Sequence, residues 1–254
     1  MKVIILAAGY AVRLNPLTLN TPKPLLKIGN VTIIDRILKK LSGINDIDSI
    51  KVVSNAKFFH SFEKWLDTSK GDEKISIIND GSTTNDNRLG AINDLEFVIL
   101  KESIDDDIFV VAGDNLFDFD IEDFLSFAGK RSDGVSVALH DIKNIGSAKN
   151  FGVVEVDKNG MVVDFEEKPE KPKSTLVSTG IYYFPKNKLS FIKEYVKMQN
   201  KLDAPGYYIS WLSKKDKVYG FTFIEDWYDI GNIESYKKAD TEYLKKESGK
   251  DEQK

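Results

Sequence analysis

The sequence predicts an α/β fold, with a Rossmann-like, mostly parallel central sheet, helices on both faces and an added β-rich subdomain. Strand-like and helix-like segments alternate along the first half of the chain, which is typical of parallel sheets. The pattern then shifts towards closely spaced strands. A chain of 254 residues, 41% of them hydrophobic, can bury one large core. We therefore expect one domain over 1–240, with a core over about 1–132 and a β-rich part over about 133–232. A polar tail over 241–254 follows, and we expect its last part, 245–254, to fray.

The spacing of apolar residues predicts each element in turn. An apolar run over 3–8 predicts the first strand. Thr32 can cap a helix, because apolar residues recur at helical spacing after it and Asp35 occupies the capping-box position. The other predicted elements of the core are strands over 50–54, 75–78 and 108–112 and helices over 58–66 and through Ile92, Leu95 and Ile99. The rest of the domain has predicted strands over 135–139, 153–156, 162–166, 177–184 and 218–223 and a last helix beginning near Ile233.

The composition excludes several classes of protein. A net charge of −4 argues against a nucleic-acid-binding surface, because proteins that bind the phosphate backbone present a basic face. No run of eighteen apolar residues is present, so we expect no membrane span. The apolar start is too short for a secretory signal and cysteine is absent, so we expect a cytoplasmic protein. The chain has only two histidines, His60 and His140, which argues against a zinc site built from histidines and against a Ser-His triad.

The most informative stretch follows the first predicted strand. Its small residues let a ligand approach the backbone closely, so that N–H groups can bind an anion. Arg13 and Lys23 add fixed positive charge, and arginine suits bidentate contact with phosphate. The alternative is an ordinary strand and turn with two solvated basic residues. We predict a polyphosphate site with backbone contacts from Leu6, Ala7, Ala8, Gly9, Tyr10 and Ala11.

Two familiar phosphate motifs do not fit this stretch. A P-loop requires Gly-Lys-[Ser/Thr] at the end of its loop, and none occurs here. A dinucleotide fingerprint requires G-x-G-x-x-G, but Ala11 and Leu14 stand where its second and third glycines would fall. The order of residues instead resembles the signature of the sugar-phosphate nucleotidylyltransferases, L-A-[AG]-G-x-G-T-R-L-x-P-x-T-x-x-x-P-K. The residues in register with it are Gly9, Arg13, Leu14, Pro16, Thr18, Pro22 and Lys23.

Two residues depart from that signature. Ala11 replaces the second glycine and Val12 replaces the threonine before the arginine. Alanine can donate its N–H there only if the backbone avoids a positive φ. Val12 has no hydroxyl for a phosphate or a metal-bound water, and losing one such hydrogen bond costs about 1–3 kcal/mol. We therefore expect weaker triphosphate binding or a changed nucleotide preference.

A carboxylate, Asp114, directly follows the predicted strand over 108–112. Ligands of open α/β sheets bind beyond the carboxyl ends of the strands, so Asp114 is expected to face the same crevice as Gly9. A carboxylate beside a polyphosphate requires a cation, and Mg²⁺ takes one or two carboxylates and leaves its other positions to water and phosphate. The alternative is a turn residue, since Gly-Asp-Asn is common turn chemistry.

The second candidate metal ligand is identified from the resemblance. The stretch from Trp227 to Gly231 is similar to the family's W-x-D-[IV]-G motif, whose aspartate is the second metal ligand. The resemblance therefore implies that Asp114 and Asp229 jointly hold Mg²⁺. Asp226 is a weaker candidate for the second metal ligand. The alternative for Asp229 is a helix cap, although Asn232 is better placed to cap the following helix.

Further blocks resemble the family's substrate-binding segments. Two blocks, over 79–81 and 88–91, resemble the segment that reads the nucleobase, and the polar loop over 82–87 is expected to order only with ligand. Three blocks resemble the sugar-phosphate motifs, over 151–154, 166–169 and 178–180. Each block alone is consistent with a hairpin or surface charge. The resemblance implies nucleotide contacts at Asn79, Asp80, Gly81 and Gly90 and sugar-phosphate contacts at Asn115, Gly152, Glu167, Lys168, Thr179 and Gly180.

The resemblance implies Mg²⁺-dependent transfer of a nucleotidyl group from a nucleoside triphosphate to a sugar-1-phosphate, with Arg13 and Lys23 as the catalytic cations. UTP or dTTP with glucose-1-phosphate is the favoured pair. A non-catalytic nucleotide-sugar binder is the alternative that Ala11 and Val12 leave open. A glycosyltransferase is disfavoured, because Asp-x-Asp is missing and the cation pair suits a triphosphate. Family members form dimers or tetramers, so a homo-oligomer is expected, although no surface stripe specifies one.

Overall fold

The computed structural model describes residues 1–68, 73–198 and 204–251, and within these residues nine strands form one mixed sheet. Its parallel centre consists of β1 (Lys2–Leu6), β4 (Ser49–Ser54), β5 (Ile75–Asn79) and β6 (Ile108–Ala112). Two short pairs lie outside the sheet, β2 (Lys27–Ile28) with β3 (Val31–Thr32) and β7 (Asn115–Phe117) with β13 (Trp227–Asp229).

The β-rich part continues this sheet. Its strands are β8 (Val135–Asp141), β9 (Gly152–Val156), β10 (Val162–Glu167), β11 (Leu176–Phe184) and β12 (Val218–Phe223). The long strand β11 is antiparallel to β6 at one end and also pairs with β8 and β9. The order across the sheet is β10-β9-β11-β6-β1-β4-β5, and β8 carries β12 as a parallel neighbour. The predicted fold class is confirmed, with the β-rich addition joined to the core through one shared strand.

Helices cover both faces of the sheet, because β1 is apolar on both sides. Val3 and Ile5 belong to one buried cluster and Ile4, between them, to the other, as the two-residue period of a strand requires. On the first face lie α1 (Ile33–Leu41), α2 (Phe59–Thr68), α4 (Ile121–Gly129) and α8 (Ile233–Asp251). On the second lie α3 (Ala91–Lys101), α6 (Leu189–Lys197) and α7 (Pro205–Leu212), while the short α5 (Ile145–Ala148) contributes to a third, small cluster. Within the described residues, no helix combines the length and the apolarity that a membrane span would need.

The capped helix predicted after Thr32 is confirmed as α1. The Thr32 hydroxyl accepts a hydrogen bond from the N–H of Asp35 at 3.2 Å and donates one to its carboxylate at 2.5 Å. Four apolar side chains of the helix, at helical spacing, are buried against the sheet, namely Ile33, Ile34, Ile37 and Leu41.

The structure corrects the prediction of a fraying tail. Helix α8 runs to Asp251, and two of its charged side chains, Lys246 and Glu247, have partners from elsewhere in the chain. Arg36 forms an ion pair with Glu247 at 2.5 Å, and Lys246 contacts Asp118 and Asp226 at 2.7 Å each. These contacts hold the helix where its own sequence offers little apolar surface. The last three residues of the predicted tail, 252–254, lie outside the described part of the chain.

The polar loop over 82–87 forms a turn held by its own hydrogen bonds. The Asn87 carboxamide oxygen accepts hydrogen bonds from the N–H groups of Thr83 and Thr84, at 3.0 and 2.9 Å. Asn85–Asn87 forms a single 3₁₀ turn, and Ser82 is only 3% exposed. Side-chain to backbone hydrogen bonds of this kind are typical of turns, and the ordering of the loop by a ligand stays a prediction.

Candidate active site

The candidate active site lies at the carboxyl ends of β1 and β6, which run side by side with Leu6 opposite Ala112. The loops after these strands meet, since the Gly113 N–H donates to the Leu6 carbonyl at 2.8 Å. A Cβ on Gly113 would lie 2.9 Å from that oxygen, so only glycine permits the approach. The contact places Asp114 beside the loop that contains Gly9.

The loop over 7–11 offers its backbone, and not its side chains, to a ligand. Ala7 and Ala8 are buried, and the Tyr10 ring is turned inward, with its centroid 6.3 Å from that of Phe58. Gly9 is exposed, and a Cβ added to it would meet no described atom within 4 Å. The space over Gly9 is therefore open to a ligand, as the predicted polyphosphate site requires.

Ala11 occupies the backbone conformation that the signature glycine would favour. Its φ is +46° and its ψ is +39°, in the left-handed region. Alanine was expected to replace the glycine without cost only if φ were negative, and the observed φ is positive. The cost of a left-handed residue other than glycine is roughly 1–2 kcal/mol. The next residue, Val12, begins a 3₁₀ turn and leaves its side chain 52% exposed.

We expect Ala11→Gly to stabilise the protein by about 0.5–1 kcal/mol, because glycine removes the left-handed strain but makes the unfolded chain more flexible. Urea unfolding measures the change. The matched control is Ala91→Gly, because Ala91 lies in α3 without a positive φ, so glycine there relieves no strain. Ala91→Gly should lower the stability, since glycine is a poor helix former, and equal effects of the two substitutions would contradict the strain at Ala11.

The pairing of β7 with β13 brings the two predicted metal carboxylates together. Asp229 lies opposite Asn115, the residue that follows Asp114. Gly231 makes room for the Asp229 side chain, because an added Cβ would lie 2.9 Å from its Oδ2. The helix-cap alternative for Asp229 is excluded, since the Asn232 side chain accepts the N–H of Ser235 at 2.8 Å instead.

The electrostatics show how many charged groups surround Asp229. Burial, followed by the negative charge of Asp114, raises the pKa of Asp229. The opposing contributions, which lower that pKa, come from Lys23, Arg13 and Lys168. Three cations, two from the stretch after β1 and one from the end of β10, therefore act on one carboxylate.

The two catalytic cations of the prediction differ in their surroundings. Lys23 is 8% exposed and its Nζ lies 2.7 Å from Oδ2 of Asp114. Arg13 is exposed, and in the described part of the chain its guanidinium has no hydrogen bond or ion pair. Lys23 is thus fixed in place and Arg13 is free to meet an incoming anion.

The carboxylate pair suits a cation that the substrate helps to bind. Within residues 1–68, 73–198 and 204–251, no three His, Cys, Asp or Glu side chains are grouped so that they could hold a metal by themselves. Mg²⁺ commonly takes one or two carboxylates and completes its shell with water and phosphate oxygens. Asp114 and Asp229 fit that donor set, whereas a site built wholly from protein ligands would need more.

Asn115 and Thr179, predicted to contact the sugar phosphate, have structural partners. The Asn115 amide accepts a hydrogen bond from Trp227 Nε1 at 2.9 Å and donates to the Thr179 carbonyl at 2.5 Å. The Thr179 hydroxyl donates to the Ala138 carbonyl at 2.9 Å, and both side chains are under 5% exposed. Gly180, with φ +77°, follows at a register shift in β11. These contacts hold β13, and with it Asp229, against the sheet.

The segment predicted to read the nucleobase forms a tight turn after β5. The Asn79 side chain accepts the Gly81 N–H at 2.8 Å, and the Asp80 carboxylate accepts the N–H and the hydroxyl of Ser82 at 2.7 and 2.8 Å. Asp80 is 8% exposed, so its side chain shapes the turn. Gly81 has φ +83° and is exposed, and Gly90, with φ +89°, precedes α3.

The predicted sugar-phosphate residues Gly152, Glu167 and Lys168 are neighbours. The Glu167 side chain is 8% exposed, and its Oε1 lies 3.6 Å from Nζ of Lys168. A Cβ on Gly152 would lie 3.0 Å from Oε2 of Glu167, and a Cβ on Gly206, in α7, would overlap that oxygen. Two glycines thus leave room for one buried carboxylate. Burial raises the pKa of Glu167, and the Lys168 charge lowers it in part.

We expect Glu167→Gln to raise the melting temperature at neutral pH. A raised folded-state pKa means that folding favours the protonated acid. Its contribution to stability is complete below the ordinary value near 4.5 and is lost as the pH rises through the folded-state pKa of Glu167. The gain from glutamine should therefore grow from about pH 4 to pH 8, measured by thermal unfolding. Glu166→Gln is the control, because Glu166 is more exposed and pairs with Lys173 at 2.6 Å. A gain that shrinks with rising pH would contradict the assignment.

Asn55 was missed by the sequence analysis. It directly follows β4 and is completely buried, with its Nδ2 donating to the Ala8 carbonyl at 2.8 Å. The signal that could have found it is its place, since a polar residue at the carboxyl end of a buried parallel strand faces the ligand edge of the sheet.

Comparison with known proteins identifies the family of the chain. The model of the nucleotidyl transferase family matches residues 2–246. The bifunctional protein GlmU of Methanocaldococcus jannaschii is 32% identical over 236 residues, which cover 91% of this chain and 51% of that protein. GlmU of Methanococcus aeolicus is 31% identical over 252 residues, covering 96% and 55%. The chain thus spans about half the length of these curated relatives.

Two solved structures share the fold along nearly the whole chain. A Bacillus anthracis protein described as a glucose-1-phosphate thymidylyltransferase, in complex with sucrose, has a TM-score of 0.79 at 26% identity and covers 96% of this chain and 95% of that one. A UDP-glucose pyrophosphorylase complexed with UDP-glucose has a TM-score of 0.80 at 19% identity, covering 96% and 98%, and this likeness shows the fold alone. With the match over residues 2–246, the chain belongs to the nucleotidyl transferase family of enzymes, which confirms the resemblance drawn from its sequence.

Proposed function

We propose that this chain is a sugar-1-phosphate nucleotidylyltransferase, which joins a nucleoside triphosphate and a sugar-1-phosphate to give a nucleoside-diphosphate sugar and pyrophosphate. The observation that carries the proposal is the pairing of β7 with β13, which places Asp229 opposite Asn115 and so beside Asp114, whose carboxylate lies 2.7 Å from the ammonium of Lys23. Such a centre suits a reaction between two phosphates, because fixed positive charge is available where two anions must meet.

The reaction needs no general base. The second pKa of a phosphate monoester is about 6, so a sugar-1-phosphate is largely a dianion near neutral pH. One of its oxygens forms a bond to the α-phosphorus while the bond to the bridging oxygen breaks, and pyrophosphate leaves with that electron pair. The protein has to align these atoms and offset their charge, which a chain with two histidines and no cysteine can do.

Each cation has a task that follows from its surroundings. Arg13, exposed and unpaired in the described part of the chain, would bind the triphosphate and the departing pyrophosphate. Lys23, held against Asp114, would contact the α-phosphoryl region. The open backbone around Gly9 would bind the rest of the triphosphate through its N–H groups, and the turn over 79–81 together with Gly90 would meet the nucleobase.

Asp114 and Asp229 would hold Mg²⁺, which when bound neutralises phosphate charge and orients the reacting oxygens. The ammonium group of Lys23 already lies 2.7 Å from Asp114, so it compensates that charge in the protein alone. On the sugar side, the backbone at Gly152 and the carboxylate of Glu167 would contact the hexose. Lys168 would bind its phosphate, and the strand at Thr179 and Gly180, held by Asn115, would line the same site.

The proposed substrates are UTP or dTTP and glucose-1-phosphate. Their support is the likeness to the Bacillus anthracis protein described as a glucose-1-phosphate thymidylyltransferase. An amino-sugar 1-phosphate is the alternative on the sugar side. Glu167 accepts sugar hydroxyls in this proposal, and hydroxyls are common to both kinds of sugar.

The test is pyrophosphate release with Mg²⁺, crossing the four ribonucleoside triphosphates and dTTP with glucose-1-phosphate, mannose-1-phosphate and amino-sugar 1-phosphates. One productive pair supports the reaction and names both substrates. If no pair releases pyrophosphate but the protein still binds nucleotide sugar in calorimetry, the chain is a non-catalytic binder and the proposal is wrong. The strained backbone at Ala11 would then explain the loss of activity. Release of the sugar to an acceptor from a nucleotide sugar would favour a glycosyltransferase.

A further inference from the structure

Asn55 lies behind the nucleotide loop and uses both ends of its side chain. Nδ2 donates to the Ala8 carbonyl at 2.8 Å, and Oδ1 accepts the N–H of Phe58 at 2.9 Å. The residue is 0% exposed, so it cannot touch a substrate directly. Any role that it has in the reaction acts through the backbone that it holds.

The bond to Ala8 fixes the direction of a neighbouring N–H group. The Ala8 carbonyl and the Gly9 N–H belong to one planar trans peptide, in which the C=O and the N–H point in opposite directions. Holding the oxygen towards Asn55 therefore aims the Gly9 N–H away from it. That N–H has no acceptor among the residues that the structure describes, and the space over Gly9 is open.

A second clamp holds the other end of the loop. The Thr18 hydroxyl donates to the Ala11 carbonyl at 2.9 Å, and Thr18 is 1% exposed. By the same planar geometry this bond fixes the N–H of Val12. Both carbonyls are thus tied on the protein side, which leaves the two N–H groups directed the other way, as an anion site made of main-chain donors requires.

We propose that Asn55 is a positioning residue for the triphosphate, because it orients the Gly9 N–H before the nucleotide arrives. The inference rests on the proposed function, in which this loop binds the triphosphate. A purely structural alternative exists, since Oδ1 of Asn55 caps the turn that leads into α2. The two roles use different atoms, and a substitution can therefore separate them.

The test compares Asn55→Ser with the wild type. Serine keeps an acceptor for the Phe58 N–H but cannot reach the Ala8 carbonyl. We expect the KM for the nucleoside triphosphate to rise about tenfold, the usual scale for one hydrogen bond, with the KM for the sugar-1-phosphate unchanged. Calorimetry with Mg²⁺ and UTP or dTTP measures binding without turnover. Asn144→Ser is the matched control, because Asn144 caps α5 and accepts the Ser147 N–H at 3.1 Å.

The outcomes distinguish this inference from the proposed function. Weaker nucleotide binding by Asn55→Ser and normal binding by Asn144→Ser support positioning. Wild-type nucleotide binding by Asn55→Ser, with only a lower melting temperature, overturns it. If Asn55→Ser does not fold, Asn55→Thr keeps a neutral acceptor in a larger side chain and gives the same comparison without adding a buried charge. If the wild type binds nucleotide but releases no pyrophosphate, the proposed function is wrong, and the binding comparison still tests the positioning role of Asn55. If the wild type binds no nucleotide, the proposed function and the positioning role are both wrong.

Discussion

Asp229→Asn is expected to lower kcat at least about a hundredfold, the scale on which enzymes lose rate when one charge-stabilising group is removed. The protein should remain folded and melt at a higher temperature. Asp229 is half-buried beside Asp114, and the partial burial and the neighbouring charge both raise its pKa, so the charge that serves the reaction works against folding. A neutral asparagine removes that repulsion together with the proposed cation ligand. Pyrophosphate release and thermal unfolding, measured on the same preparation, test both halves of the prediction.

Asp226→Asn is the matched control for this prediction. Asp226 is three residues away, is exposed and pairs with Lys246 at 2.7 Å, so its carboxylate has a partner outside the site. Its pKa is lowered, chiefly by the hydrogen bond to Lys246, and the substitution should cost a little stability while sparing kcat. Asp226 was the substitute ligand that the sequence allowed. A large loss of kcat in Asp226→Asn, with little change in Asp229→Asn, would exchange their roles.

The sequence predicted the sheet better than it predicted the parts that complete the site. The strand over 108–112 was predicted at its observed bounds, because a fully buried parallel strand is a continuous apolar run. The end of the first strand was predicted two residues too late, at Ala8 and not at Leu6, since Ala7 and Ala8 are apolar but belong to the loop. Boundaries where small apolar residues leave a strand cannot be found from hydrophobic spacing alone.

The pair of β7 and β13 was not predicted, although it sets the distance between the two carboxylates. Each strand has three residues, too few for any period to show, and their partners are 112 positions apart in the sequence. The hydrogen bonds that join Asn115 to Trp227 and Thr179 cannot be predicted from the sequence either, because the three elements meet only in the folded chain. Motif resemblance found Asp229, and tertiary pairing explains its position.

Helices α4, α6 and α7 were also missed, as was the helical form of the tail. In α4 the start signal was present, since the Asp120 side chain accepts the Glu122 N–H at 2.9 Å. In α8 the sequence is nearly all polar, and its order depends on distant partners such as Arg36 for Glu247. Local sequence cannot reveal a helix whose stabilising contacts come from more than two hundred residues away.

Arg13→Ala is expected to lower kcat/KM for the nucleoside triphosphate by about 10²–10³ and to leave the melting temperature unchanged. The stability is spared because, in the part of the chain that the structure describes, the guanidinium has no hydrogen bond or ion pair to lose. The activity is lost because Arg13 lies close enough to act on the pKa of Asp229 and is the exposed cation beside the nucleotide loop. Steady-state kinetics with the triphosphate varied measures the effect.

Two further variants show what Arg13 contributes. Arg13→Lys keeps the charge but loses bidentate geometry, so it should recover only part of the lost rate. Lys27→Ala removes an exposed cation on β2 and should change neither kcat nor KM, which excludes a general effect of net charge. Full activity in Arg13→Ala would leave Lys23 as the only cation of the motif in the reaction. Because Lys23 is held against Asp114, the departing pyrophosphate would then need another partner, and the mechanism proposed above would be wrong on that point.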